Sequence, residues 1–318
     1  MYRLGIDLGG TNIVAGVVDE NYNIIGRGKV KTNLPRPADK ICDSMAEAAK
    51  IAVKDAGLEL KDISSCGIGT PGAIDHVRGV VTYTNNLAFY NVELADMMKQ
   101  RLGIDFYLEN DANAAAYGEY LAGAGVGTKD FIAVTLGTGI GGGIIIDGKL
   151  FTGSNYAGGE IGHMVINHNG VPCNCGRIGC YENYGSATAL INQTKHAMCK
   201  NFDSVMWELA DNDIEKVTGR TAFDAWRKGD PVATEVVKKY ISYVAEGIVN
   251  IINIFQPEKI CIGGGISNEK DALINPINET VRRFSYTRHT DADNKVCVAK
   301  LGNDAGIIGA AFLDKLYK

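Results

Sequence analysis

The chain has 318 residues, which is enough for two domains that each bury a core of their own. Hydrophobic residues make up 46%, charged residues 22% and the net charge is −5, so composition indicates a soluble globular protein and excludes a basic surface for nucleic acid or anionic membrane. The start, MYRLGIDLGG, lacks a secretory signal and no apolar run approaches ~18 residues, so we expect a cytoplasmic protein with reduced thiols and neither nucleic-acid nor membrane partners.

The hydrophobic pattern alternates between the strand period and the helix period, which predicts an α/β fold. Predicted strands cover residues 4–8, 12–19, 23–32, 64–69, 104–108, 130–136, 142–147 and 259–265. Predicted helices cover residues 38–57, 92–103, 112–122, 231–255 and 305–316, with short helices and no strand over 186–229. The helix from 231 has the strongest start signal, because Asp230 is a favoured cap and Pro231 fits the first turn.

One internal repeat indicates a duplicated architecture. The segment from Leu8 to Asp19, LGGTNIVAGVVD, matches the segment from Leu136 to Asp147, LGTGIGGGIIID, in its leucine, its glycine turn, its apolar strand and its aspartate. A repeat of this length predicts a duplicated domain and not a solenoid. We therefore expect two lobes that face each other across a cleft.

The first copy, GIDLGGT, places Asp7, Gly9 and Thr11 at alternate positions on a strand-to-strand turn. Glycines allow backbone amides to approach a phosphate, Thr11 adds a hydroxyl donor, and Asp7 can hold the hydration shell of Mg²⁺. The alternative is a glycine-rich hairpin without a ligand.

The second copy, LGTGIGGG, formally contains the spacing G-x-G-x-x-G, but an apolar strand follows it. The dinucleotide fingerprint requires a helix there, so we exclude that interpretation. Together with GGGIS at 263–267, the two turns predict a nucleotide held between lobes. The predicted nucleotide-binding residues are Asp7, Gly9, Gly10, Thr11, Asn12, Gly137, Thr138, Gly139, Gly264 and Gly265.

The stretch ENDANAAAYGE puts Asn110 and Asp111 at the start of a predicted helix, directly after a short strand. Either residue could simply cap the helix. The positive end of the helix dipole should also keep Asp111 ionised. An ionised carboxylate that faces a phosphate site can accept the proton of an attacking hydroxyl, as a kinase requires.

The stretch CNCGRIGC places Cys173, Cys175 and Cys180 within eight residues, and His163 lies ten residues before the first of them. One imidazole and three thiolates form a closed tetrahedral site of the structural zinc type. Buried free thiols and a disulfide are the alternatives, and His168 could replace His163 as a ligand.

Together these motifs resemble the ROK family of sugar kinases and related repressors, within the actin–hexokinase–Hsp70 fold. The matching motifs are DLGGT at 7–11, GTPGA at 69–73, NNL at 85–87, END at 109–111, LGTGIGGG at 136–143, GGEIGH at 158–163, CNCGRIGCYE at 173–182 and GGG at 263–265. The resemblance covers essentially the whole chain. It implies a two-lobed actin-like fold with a duplicated ribonuclease H-like core, and zinc as the metal.

The resemblance implies that the enzyme phosphorylates a hexose with ATP, with Asp111 as the general base. It assigns sugar binding to Gly72, Asn86, Asn110, Asp111, Glu160, His163 and Glu182. The pattern is most similar to the glucokinase members, so D-glucose is the first expected substrate; mannose, fructose, allose and N-acetylmannosamine kinases share most of it. The expected cofactors are ATP, Mg²⁺ and structural Zn²⁺, and the family is often homodimeric.

We expect residues 1–109 and 302–318 to form the N-terminal lobe. Residues 110–301 should form the C-terminal lobe, which contains the zinc loop at 163–180 and a helical segment at 186–256. Repressor members carry a helix-turn-helix domain before the DLGGT motif, whereas six residues precede Asp7 here. We therefore favour the enzyme over a sugar-responsive regulator without catalysis.

Overall fold

The computed structural model describes residues 1–290 and 295–318. The β-strands are β1 (Tyr2–Leu8), β2 (Asn12–Val18), β3 (Ile24–Lys31), β4 (Ile63–Thr70), β5 (Ala73–Asp75), β6 (Val80–Thr84), β7 (Phe89–Val92), β8 (Phe106–Asn110), β9 (Phe131–Leu136), β10 (Ile140–Ile146), β11 (Lys149–Leu150), β12 (Lys259–Gly263) and β13 (Lys295–Val298). The predicted glycine turns thus join β1 to β2 and β9 to β10, and a strand follows each of them.

The α-helices are α1 (Ala38–Asp55), α2 (Leu94–Leu102), α3 (Asp111–Ala122), α4 (Glu182–Gly185), α5 (Ala187–Met198), α6 (Val205–Leu209), α7 (Thr221–Arg227), α8 (Pro231–Phe255), α9 (Asp271–Phe284), α10 (Asp304–Ala311) and α11 (Asp314–Tyr317). Short 3₁₀ helices cover Leu60–Asp62, Ile161–His163, Ile214–Lys216 and Gly265–Glu269. The predicted helix 305–316 is wrong as a single element, because the chain leaves the helix after Ala311 and starts α11 at Asp314. Helix α9 and the strands β5, β6, β7, β11 and β13 were not predicted from the sequence.

The chain divides into two compact units. The first unit contains Met1–Ala133, Gly143–Gly159 and Lys300–Lys318; the second contains Val134–Gly142 and Glu160–Ala299. The lobe boundaries expected from the sequence stay a prediction.

The first unit is built on a mixed five-stranded sheet with the order β3-β2-β1-β4-β8. Strands β1, β2 and β3 are antiparallel neighbours, while β1, β4 and β8 run parallel. Helix α1 buries apolar residues such as Ile41 and Met45 in the main core of this unit. Strands β5, β6 and β7 form a separate small antiparallel sheet.

Helix α10 packs against the first sheet and against α3 through bare backbone. A Cβ atom added at Gly5 of β1 would lie 1.9 Å from the Ile307 carbonyl oxygen, and one at Gly67 of β4 would lie 1.8 Å from the Ala310 oxygen. No real Cβ contact is that short, so only glycine fits at these two strand positions.

The second sheet has the order β11-β10-β9-β12-β13. In the second unit β12 pairs with β13 in parallel, and α8 supplies a long buried face. The predicted start of α8 is confirmed, since the Asp230 side chain accepts a hydrogen bond from Ala233 N at 2.8 Å. Over residues 1–290 and 295–318, no helix combines the length and the apolar character needed to cross a bilayer.

Candidate functional site

In the first unit, three parallel strands end side by side. Asp7 of β1 is in register with Gly69 of β4, which is in register with Glu109 of β8. Asp111 follows β8 directly, and a Cβ at Gly69 would lie 3.7 Å from the Asp111 Cα. The carboxyl ends of parallel strands are where α/β proteins bind ligands, so Asp7 and Asp111 occupy a position suited to chemistry.

Asn110 and Asp111 have different roles at the start of α3. Asn110 is the cap: its Oδ1 accepts from Ala112 N at 2.9 Å and from Asn113 N at 3.3 Å, while its Nδ2 donates to the Gly72 carbonyl at 3.2 Å. The capping alternative therefore holds for Asn110. Asp111 is the first helical residue, and its Oδ1 accepts a hydrogen bond from the Ala112 amide at 2.9 Å. Its carboxylate keeps lone pairs for a proton or a ligand.

Burial raises the pKa of the Asp111 carboxyl above its ordinary value, although the Ala112 amide opposes the shift. The direction is opposite to that expected from the helix dipole alone, because desolvation outweighs the dipole. Burial, reinforced by the Asp111 charge, raises the pKa of Asp7 to about 6. Two carboxylates with raised pKa values at one strand edge are typical of a functional site.

The first glycine turn, residues 9–11, is held by Thr32, the residue directly after β3. The Thr32 hydroxyl donates to the Gly9 carbonyl at 2.7 Å, and the Thr32 amide donates to the Thr11 carbonyl at 3.0 Å. A Cβ at Gly10 would meet only a methyl of Leu34, at 4.0 Å. The outer side of this turn is therefore open, as the approach of an anion requires.

The second glycine turn, residues 137–139, belongs to the second unit. It closes through a bond from Gly137 N to the Gly139 carbonyl at 3.0 Å, with Thr138 exposed. Gly264 has a φ of 86°, and a Cβ there would lie 2.3 Å from the Leu136 oxygen. The segment with Gly264 and Gly265 therefore adjoins the second turn, so the predicted phosphate residues of this unit lie together.

Glu182 contacts the second glycine turn directly. Its Oε2 accepts a hydrogen bond from Ile140 N at 2.9 Å, and a Cβ at Gly139 would lie 2.0 Å from the same oxygen. The Ala187 amide, five residues farther on, donates to the Gly137 carbonyl at 2.8 Å. The resemblance implied a sugar ligand at Glu182, and no sequence signal had indicated this second contact.

The structure brings the side chains of His163, Cys173, Cys175 and Cys180 together. Their ligand atoms all lie within 4.8 Å of one another; Cys175 Sγ is 3.6 Å from Cys180 Sγ, and His163 Nδ1 is 3.8 Å from Cys173 Sγ. A tetrahedral zinc ion with Zn–S bonds of about 2.3 Å separates its ligands by roughly 3.8 Å, so this donor set fits zinc. His168 is outside the cluster among the described residues.

The other residues implied in sugar binding are distributed over both units. In the first unit, Gly72 accepts the Asn110 amide as described, and Asn86 is exposed on the turn between β6 and β7. In the second unit, Glu160 is exposed immediately before the 3₁₀ helix that contains His163.

Glu109, His76 and Tyr317 form a cluster behind Asn110 that sequence patterns did not reveal. The buried Glu109 carboxylate accepts from Asn110 N at 2.8 Å, from Asn113 Nδ2 at 2.9 Å and from the Tyr317 hydroxyl. The rings of His76 and Tyr317 stack with centroids 4.1 Å apart, and His76 Nδ1 lies 3.9 Å from Glu109 Oε2. Burial lowers the pKa of His76. Glu109, the first residue of the END motif, was the one available sequence signal.

Comparisons with known proteins identify the family of the chain. The ROK family model matches residues 3–316. A glucokinase of Streptomyces coelicolor is 36% identical over 312 residues, covering 98% of this chain and 96% of its own. A xylose repressor of Caldicellulosiruptor bescii is 31% identical, and the match covers 96% of this chain and 76% of the repressor.

Among solved structures, a ROK family glucokinase from Streptomyces griseus, in complex with glucose and AMPPNP, aligns with a TM-score of 0.83 at 36% identity. The alignment covers 98% of this chain and 99% of that one. This likeness confirms the predicted two-lobed, actin-like α/β fold class. The chain belongs to the ROK family.

Proposed function

We propose that this protein is a ROK-type sugar kinase that transfers the γ-phosphoryl group of ATP to a hexose, with D-glucose as the first candidate and glucose 6-phosphate as the product. The observation that carries the proposal is the pair Asp7 and Asp111 at one edge of the first sheet, both with raised pKa values. The similar glucokinases support it. Mannose, fructose, allose and N-acetylmannosamine are the alternative acceptors, and a regulator without catalysis is the alternative function.

In the proposed reaction, Asp111 accepts the proton of the attacking sugar hydroxyl. The hydroxyl oxygen forms a bond to the γ-phosphorus, the bond from that phosphorus to the bridging oxygen breaks, and ADP leaves. Asp7 would hold the hydration shell of the Mg²⁺ that accompanies ATP. The glycine turns supply backbone amides for the phosphates. Asn110 fixes the start of α3 and thereby the position of the base.

We also propose that His163, Cys173, Cys175 and Cys180 hold a structural zinc ion. The four ligand atoms leave no open position for a substrate, so the metal would order the loop and supply no catalysis. Because Nδ1 of His163 faces Cys173 Sγ, its Nε2 would remain for a sugar hydroxyl.

The test is an ADP-release assay with ATP and each of the five sugars, run in parallel with Asp111→Asn. We expect the highest kcat/KM with glucose and loss of turnover in the variant. ADP release with none of the sugars would contradict the kinase; faster turnover of another sugar would reassign the substrate. The expected homodimer is a separate proposal, which sedimentation equilibrium tests.

A further inference from the structure

We propose that Glu182 is a positioning residue for the second glycine turn, so that nucleotide binding and sugar binding are coupled through this one side chain. The inference rests on the proposed kinase function. It adds a role to a residue for which the resemblance implies only sugar contact.

Glu182 contacts the second glycine turn at two defined points. The Glu182 carboxylate accepts the amide of Ile140, the first residue after the turn, and a Cβ at Gly139 would overlap the same Oε2. Hydrogen bonds to a charged acceptor are among the stronger ones in proteins. The carboxylate therefore limits where the backbone of residues 137–139 can lie.

Helix α4, which begins with Glu182, is anchored on α8. Tyr181 is fully buried; its hydroxyl donates to the Val244 carbonyl at 2.9 Å, and a Cβ at Gly247 would lie 2.3 Å from its ring. The Tyr240 hydroxyl donates to the Gly185 carbonyl at 2.8 Å. Both ends of α4 are thus fixed to the long helix, which gives the Glu182 backbone a defined position from which its carboxylate reaches the turn.

A hydroxyl that binds Glu182 must therefore also affect the turn. If a sugar hydroxyl orders the carboxylate, it orders the turn that receives the phosphates, and nucleotide affinity rises. Linkage requires the nucleotide to raise sugar affinity by the same factor. We expect each ligand to bind more tightly when the other is present.

The experiment measures binding of AMPPNP and of glucose by calorimetry to wild type, Glu182→Ala and Glu182→Gln. Removing the acceptor in Glu182→Ala should weaken AMPPNP binding by about tenfold to a hundredfold, the effect of one hydrogen bond to a charged group. Glu182→Gln keeps an oxygen acceptor for Ile140 N and should stay within about threefold of wild type for AMPPNP.

Two glycine variants form a matched pair that does not depend on folding of the Glu182 variants. In Gly139→Ala the new Cβ displaces the Glu182 carboxylate, whereas in Gly137→Ala it meets only the Gly139 oxygen at 4.0 Å. We expect Gly139→Ala to weaken glucose binding as well as AMPPNP binding, and Gly137→Ala to leave glucose binding unchanged.

Two results would overturn the inference while the kinase proposal stands: AMPPNP binding to Glu182→Ala as tight as to wild type, or unchanged glucose affinity in Gly139→Ala. Failure of wild type to bind AMPPNP would overturn the kinase proposal, and the inference with it.

Discussion

Replacing Glu109 by alanine tests whether the cluster behind Asn110 holds the proposed base in place. Glu109 is 1% exposed, and its carboxylate accepts three hydrogen bonds, from Asn110 N, Asn113 Nδ2 and the Tyr317 hydroxyl. Glu109→Ala leaves three donors without their acceptor, at about 1–3 kcal/mol each, and removes one buried charge whose desolvation offsets part of that loss. We expect a net loss of about 3–5 kcal/mol, a large share of a typical 5–15 kcal/mol.

Two conservative variants separate hydrogen bonding from charge. In Glu109→Gln the amide oxygen can still accept from Asn110 N and Asn113 Nδ2, and the amide nitrogen can donate to the Tyr317 oxygen. We therefore expect a loss of about 1 kcal/mol. Burial, with the Glu109 charge, raises the pKa of Tyr317, so its hydroxyl stays a donor. Tyr317→Phe keeps the stack on His76 and should cost about 1.5–3 kcal/mol, the value of a hydrogen bond to a charged group.

The assays are denaturant unfolding followed by circular dichroism, and kcat at saturating substrates in conditions where each variant is folded. Displacement of Asp111 in Glu109→Ala should lower kcat about tenfold or more, while Glu109→Gln should recover most of it. Equal stability and equal kcat in Glu109→Ala and wild type would refute the positioning role. Equal damage from Glu109→Gln and Glu109→Ala would assign the effect to charge.

Three further predictions concern the base, the metal and the cation site. Asp111→Asn should retain glucose binding, measured by calorimetry, and its turnover should fall at least about a hundredfold. The base must be ionised and burial raises its pKa, so wild-type kcat should decline on acidification at a higher pH than for an ordinary carboxyl. Cys175→Ser should lower zinc content by mass spectrometry and the melting temperature together, whereas Cys199→Ser, at an exposed thiol outside the cluster, should change neither. Because the pKa of Asp7 is raised to about 6, Asp7 is protonated below that pH and cannot hold the hydration shell of Mg²⁺. The affinity for Mg²⁺–AMPPNP should therefore fall on acidification through about pH 6. An affinity that does not change with pH would contradict this role of Asp7.

Local sequence patterns predicted many of the strands and helices of this fold. The repeated segments from Leu8 and Leu136 both form a strand, a glycine turn and a strand, because apolar runs interrupted by glycines leave few other conformations. Helix α8 ends at the predicted Phe255, where Pro257 follows closely. By contrast, β5 has only three residues, too few for a periodic pattern. In α9 the apolar residues keep helical spacing, but Pro276 inside the segment argues against a helix.

In the candidate site, too, local spacing predicted some groupings of residues, whereas others depend on the folded chain. The four cysteine and histidine ligands come from one short segment, so their spacing alone predicted the cluster. The bond from Tyr317 to Glu109 spans 208 positions, and only the folded sheet brings its two ends together. The contact of Glu182 with Ile140 was equally inaccessible, because it depends on how α4 is anchored.

The glycine contacts of α10 have a consequence for engineering this protein. Gly5 and Gly67 allow the backbone of α10 to contact the sheet, and Gly118 and Gly309 allow the same close contact between α3 and α10. A Cβ added at Gly118 would lie 2.1 Å from the Ala305 oxygen, and one added at Gly309 would lie 1.7 Å from the Ala114 oxygen. Contact between main chains cannot be retuned by exchanging side chains, unlike an ordinary core. A mutant library aimed at substrate preference should therefore leave these four codons fixed and place its diversity in exposed loops such as the turn that carries Asn86.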